Sequence, residues 1–137
     1  MKTLVIRDGD RLAIRAIARE AADGGRDRCP TLQFFQENME TMAGLGALLS
    51  DTAENGPRHG DGKFKKLSGT DELYEFKSND LRLLCFWDDG SLIICTHGFI
   101  KRTQKAPKSE IERGEKMKRE YFDAKANGTL IHAQPKR

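Results

Sequence analysis

The sequence predicts an α+β domain: a mostly antiparallel sheet of four to five strands, with helices of the N-terminal half on one face and a further C-terminal helix. Three observations carry this. Residues 30–55 repeat apolar side chains at helical spacing, residues 64–99 fall into short apolar runs separated by turn residues, and a helical period returns after Pro107. At 137 residues the chain has the size of one domain with one core. Residues 1–137 are therefore read as a single unit, with 126–137 as a loose tail.

Residues 2–7, rich in Leu, Val and Ile, predict a strand closed by the turn Asp8-Gly9-Asp10. Asp10 suits the cap of a helix running to about Ala22, with Leu12, Ala13, Ala16 and Ile17 on one side and Gly24-Gly25 as its stop. Cys29-Pro30-Thr31 opens a second helix. Its Leu32, Phe35, Met39 and Met42 recur on one face, a stripe that reads as core packing. Leu45, Leu48 and Leu49 extend the helical half to Asn55-Gly56-Pro57, and a glycine-rich loop follows to Gly62. Strands are expected at 64–67, 73–77, 81–87 and 92–99, with tight turns at Ser78-Asn79 and Asp89-Gly90. Ser109 with Glu112 three residues on has the form of a capping box, and Ile111, Gly114, Met117 and Tyr121 mark one face of the last helix.

Composition narrows the function classes. With 37% hydrophobic and 33% charged residues, the chain is neither disordered in bulk nor a membrane protein. No apolar run approaches the ~20 residues of a bilayer span, and the apolar start is too short for a secretory signal. Cys29, Cys85 and Cys95 lack C-x-x-C spacing. They predict neither a disulfide framework nor a zinc site, and point to a reducing cytoplasm. His59, His97 and His132 lack ligand spacing, so no metal and no cofactor is expected. Charge is uneven: residues 1–62 carry 8 Lys+Arg against 10 Asp+Glu, and residues 63–137 carry 16 against 11. Positive potential concentrated in the second half suits a nucleic-acid partner or, equally, a solvated basic surface.

Hairpin arithmetic brings particular side chains together. A two-residue turn at Asp89-Gly90 pairs Trp87 with Leu92, Cys85 with Ile94 and Arg82 with His97. A two-residue turn at Ser78-Asn79 adds Glu75 to the row, whereas a three-residue turn would send Glu75 to the other face. A Glu75–Arg82–His97 row serves either acid–base chemistry on a phosphodiester or a cross-strand ion pair contributing ~0.2–1 kcal/mol. Arg82, in a strand otherwise made of Leu, Cys, Phe and Trp, needs an anionic partner. Lys101, Arg102, Lys105 and Lys108 then fall within eight residues between a strand end and a helix start, an arrangement suited to an oligoanion. Lys63, Lys65 and Lys66 form a second basic group.

Three blocks carry a family resemblance: Glu72-Leu73-Tyr74-Glu75-Phe76, the strand Leu81-Arg82-Leu83-Leu84-Cys85-Phe86-Trp87, and His97-Gly98-Phe99-Ile100-Lys101-Arg102-Thr103-Gln104-Lys105-Ala106-Pro107 followed by Glu110-Ile111-Glu112. Over roughly residues 63–121 the chain resembles the phage-derived HigB-like branch of the RelE/ParE toxin superfamily. The resemblance implies a RelE-like fold, a ribosome-associated mRNA endoribonuclease activity without a metal, and a cognate helix-turn-helix antitoxin of the HigA-like kind. In relatives a strand arginine and basic residues after the last strand line the cleft; the matching positions are Arg82 and Lys101-Arg102. Leu81 stands where the family has a tyrosine before that arginine, and Lys77 stands one place after the family's arginine.

On this reading Arg82, Lys101, Arg102, His97 and Glu75 are the candidate catalytic residues, with Glu75 or His97 as base. Lys63, Lys65, Lys66, Lys77 and Lys105 are the candidate RNA-binding residues. The expected reaction is attack of a ribose 2′-hydroxyl on the adjacent phosphate, in the cytoplasm, with mRNA and the ribosome as partners and no membrane. Two rivals stay open: a gyrase-inhibiting toxin of the ParE kind, and a non-catalytic basic RNA-binding prophage protein.

Overall fold

The chain starts with two strands rather than a strand and a helix: β1 (Lys2–Asp8) and β2 (Ala13–Ala18) pair antiparallel. The computed structural model describes residues 1–58, 60–102 and 107–134. Among these residues three helices follow the opening hairpin in chain order, α1 (Pro30–Glu37), α2 (Ala43–Asn55) and α3 (Lys108–Ala126), with a 3₁₀ turn at Met39–Thr41. Between α2 and α3 lie β3 (Phe64–Lys66), β4 (Tyr74–Ser78), β5 (Leu81–Asp89) and β6 (Leu92–Ile100), and β7 (Ile131–His132) comes last. All seven strands form one open sheet in the order β3-β4-β5-β6-β2-β1-β7. The α+β class holds, but the sheet is larger than the four to five strands expected. Four of its pairings are antiparallel, while β6 with β2 and β1 with β7 run parallel.

The helix expected from Asp10 to Ala22 is β2. This strand lies in the middle of the sheet and is covered on both sides: Ile14, Ala16 and Ala18 pack toward α1 and α2, while Ile17 packs toward α3. A strand buried on both faces loses the polar alternation that identifies a half-buried one, and its alanines imitate a helix.

The helices sandwich the sheet. Leu45 and Leu49 of α2 and Phe34 of α1 join Phe76, Leu83, Cys85, Ile93 and Cys95 in one core layer. Met117 and Tyr121 of α3 join Leu73, Leu84, Phe86 and Ile94 in the layer on the opposite face. Pro30 opens α1, where its missing N–H goes unneeded. The capping box expected at Ser109 does not form: α3 starts at Lys108 with Pro107 as its cap residue and no side-chain cap. Glycines set how closely helices approach, Gly98 and Gly114 among them. A Cβ on Gly98 would stand 2.1 Å from the Phe34 ring, and one on Gly114 would stand 3.2 Å from Leu73 and Leu84.

The tail is not loose where it is described. The Ala133 N–H donates to the Thr3 carbonyl at 2.9 Å, Thr3 Oγ1 lies 2.6 Å from His132 Nδ1, and the Arg15 guanidinium donates to the Ala133 carbonyl. Short parallel pairing to β1 carried no sequence signal, since two residues cannot show a period.

Candidate functional site

Register decides which side chains share the α3 face. The β4–β5 loop is Asn79-Asp80, one residue later than expected, with Ser78 opposite Leu81 and Asn79 at φ 54; a short amide side chain tolerates that left-handed conformation. Lys77 is therefore the cross-strand partner of Arg82, and Glu75 that of Leu84. Because both strands slip by one, parity is kept and Glu75 stays on Arg82's face. The β5–β6 loop is likewise later, Gly90-Ser91, with Asp89 opposite Leu92. Two irregularities follow, one beside Asp88 and one between the Cys85–Cys95 and Leu83–Gly98 pairs. Arg82 consequently faces Phe99, not His97.

The second irregularity builds the site. It places one extra residue in β6, so that Thr96 and His97 both point toward α3: Thr96 Oγ1 lies 3.6 Å from the Gly114 Cβ position, and His97 Nε2 lies 3.3 Å from Glu110 Oε1 of α3. A β-bulge re-aims side chains in this way. Ile93 and Cys95 lie on the other face.

Glu75, Arg82 and His97 are thus gathered on one face at the end of the sheet, and all three are buried, 2%, 6% and 1% exposed. Glu75 Oε1 lies 3.7 Å from Arg82 Nε and 3.8 Å from Lys65 Nζ. The Arg82 guanidinium also donates through Nη1 to the carbonyls of Asn79 at 2.6 Å and Leu81 at 2.9 Å. Lys101, leaving β6, donates its backbone N–H to the Asp80 carbonyl at 2.7 Å. Arg82 and Lys101 are therefore anchored to adjacent residues of one turn.

Two buried nitrogens in this cluster, Arg82 Nε and His97 Nε2, have no hydrogen-bond partner among the described residues. Unsatisfied buried polar atoms are rare and expensive. Burial, followed by the charge of Arg113, lowers the His97 pKa to about 4, so its ring is neutral at physiological pH.

The expected RNA-binding lysines divide. Lys65 and Lys77 belong to the face of Glu75 and Arg82, as their cross-strand partners. Lys66 pairs with Glu72 at 3.5 Å on the surface. Lys63 and Lys77 line an open groove of about 670 Å³ between α2 and the β4–β5 turn, together with Asp51, Arg58 and Asn79. Arg102 is exposed and Lys101 half-buried. Lys105 and His59 lie outside the described residues. No group of three or more His, Cys, Asp or Glu that could hold a metal ion occurs among the described residues. Within them no helix is long and apolar enough to cross a membrane.

Sequence reasoning missed Glu110 and Arg113 as neighbours of His97. Their spacing of three on the first turns of α3 was the available signal, but the bulge that turns His97 toward them leaves no mark in the sequence.

A family model described as phage-derived protein Gp49-like (DUF891) matches residues 32–119. That span contains every residue of the cluster on β4, β5, β6 and the start of α3. No curated protein matches the chain.

Proposed function

Since the chain belongs to the phage-derived Gp49-like family, a family of RelE/HigB-like toxins, we propose that it is the toxin of a type II toxin–antitoxin pair and acts as an mRNA endoribonuclease in the cytoplasm. The family match carries this reading. The fold is then RelE-like, the target is mRNA on the ribosome, and a small helix-turn-helix antitoxin of the HigA-like kind is the inhibitory partner.

The proposed reaction needs no metal. The ribose 2′-hydroxyl attacks the adjacent phosphate, leaving a 2′,3′-cyclic phosphate and a free 5′-hydroxyl. Arg82, at the end of β5, meets the charge that develops on phosphorus-bound oxygen, with Lys101 and Arg102 beside it; each well-aimed cation contributes about 10²–10³ in rate. Glu75, sealed behind Arg82, orients the guanidinium and takes no part in proton transfer.

The test is induction of the chain from a tightly repressed promoter. Protein synthesis should stop within minutes while DNA synthesis continues, and primer extension should find new 5′ ends inside coding regions. Paired Lys101→Ala and Arg102→Ala substitutions should abolish both effects. DNA damage with intact mRNA would instead establish the gyrase-inhibiting reading. RNA binding without any cleavage would establish the non-catalytic one.

A further inference from the structure

A general base must come within about 2.6–3.2 Å of the proton it removes. The two candidates named from the sequence do not meet that demand. Glu75 and His97 are 2% and 1% exposed, and Glu75 already faces Arg82 and Lys65.

Glu110 is the carboxylate beside His97 that reaches solvent. It sits in the first turn of α3, and 27% of its side chain is exposed. One carboxylate oxygen, Oε1, stands 3.3 Å from His97 Nε2. The other side of the imidazole is held by Thr96, whose Oγ1 lies 3.1 Å from Nδ1. The Thr96 hydroxyl donates its one proton to the Leu84 carbonyl at 3.3 Å, so Nδ1 carries the ring proton and donates to Thr96 Oγ1, and Nε2 turns its lone pair toward the carboxylate. Nε2 and Oε1 are both acceptors and form no hydrogen bond as they stand, so a proton taken up by the carboxylate finds its acceptor in Nε2.

We propose that Glu110, positioned by the buried His97, is the proton acceptor of this cleft. The inference rests on the endoribonuclease reading. The Glu110 carboxylate takes the proton of the 2′-hydroxyl. The O2′ electron pair forms the new bond to phosphorus, the bond from phosphorus to O5′ breaks, and the departing O5′ takes a proton from the Lys101 ammonium. Exchange with water returns the Glu110 proton to solvent and reprotonates Lys101. His97 touches no substrate and is a positioning residue. Its neutral ring suits the role, because an imidazolium beside Glu110 would hold the carboxylate in a strong ion pair and reduce its basicity.

The experiment is single-turnover cleavage of a 5′-labelled mRNA on purified ribosomes, with Glu110→Gln, Glu110→Asp, Glu110→Ala and His97→Gln compared with the unaltered protein. Glu110→Gln and Glu110→Ala should slow cleavage about 10²–10⁴-fold with ribosome binding and the thermal unfolding midpoint unchanged. Glu110→Asp should retain part of the rate. Added formate should restore part of the Glu110→Ala rate and none of that lost by Arg82→Lys, a rescue that a structural role would not show. His97→Gln should lower kcat more than it raises KM. Cleavage by Glu110→Gln at the unaltered rate, or a folded Glu110→Ala that formate leaves inactive, overturns the role of Glu110 while the nuclease reading stands. Intact mRNA with the unaltered protein overturns both.

Discussion

The carboxylate of Glu75 and the Nε of Arg82 lie 3.7 Å apart with both side chains buried, close enough to attract but not hydrogen-bonded. A charge pair desolvated in this way is a poor source of stability and a costly one to break. Glu75→Ala leaves the guanidinium with carbonyl partners alone and should destabilise the fold by about 3–5 kcal/mol. The double replacement Glu75→Leu with Arg82→Met should cost less than either single loss. Urea denaturation of the four proteins measures this. Additive losses would show that the two side chains act independently.

His97 should make stability fall with acid. Its pKa drops from the ordinary value of 6.5 to about 4 on folding. Above pH 6.5 the ring is neutral in both states and contributes nothing to the pH dependence. Between pH 6.5 and 4 the unfolded chain binds a proton that the folded one resists, so up to about 3 kcal/mol is lost across that window and no more below it. Arg113 reinforces the dominant effect of burial. Subtracting the pH profile of His97→Gln from that of the unaltered protein isolates the contribution. A flat difference between pH 7 and 4 would mean that the ring is not sealed.

The site was legible in its membership before it was legible in its geometry. Glu75, Arg82 and His97 share a face as the hairpin count required, yet neither expected pairing among them occurs. At the β4–β5 turn, a slip of one residue in each strand preserved parity. At β6, the extra residue near Thr96 restored His97 to the face that a regular strand would have denied it, while Ile93 and Cys95 stayed on the far side. Turn residues locate a hairpin to within a residue, and the position of a bulge depends on packing against α3, which local sequence does not encode. The same reason hid β2: its apolar pattern answers to two covering layers rather than one.

Gly98 is a packing requirement. The Phe34 ring of α1 occupies the space of its missing side chain, with ring carbons 2.1, 2.5 and 2.6 Å from a Cβ built there. Gly98→Ala must push α1 off β6 and should cost about 1–3 kcal/mol. Combining it with Phe34→Leu should recover part of the loss in denaturant midpoint. An unchanged midpoint for Gly98→Ala alone would show that α1 rides freely over the strand.

The groove lysines should set the salt dependence of RNA binding. Lys63 and Lys77 line the cavity beside the β4–β5 turn and make no ion pair among the described residues, whereas Arg58 in the same wall is held by Asp51 through hydrogen bonds of 2.8 and 3.3 Å. A cation already committed to a carboxylate releases few counterions on binding RNA. Lys63→Ala should flatten the plot of log affinity against log salt by about 0.7 for single-stranded RNA, and Arg58→Ala should change it less. Equal slopes for both variants would remove the groove from the RNA path.

Tyr121 separates fold from chemistry. It stands on the same helix as Glu110, but three turns further on, fully buried, with its hydroxyl donating to Asp88 at 2.5 Å while Lys125 reaches the other oxygen of that carboxylate. Burial and then the Asp88 carboxylate push the phenol pKa well up, so the group stays protonated as a donor. Its task is to satisfy Asp88, whose side chain is 3% exposed. Tyr121→Phe keeps the ring packed against Phe86 and removes only the donor, so it should lower stability by about 1–3 kcal/mol. Growth inhibition should persist in cells held at a temperature where the variant is folded. Loss of toxicity in a variant shown to be folded would instead bring this end of α3 into the reaction and displace the cleft built around Arg82.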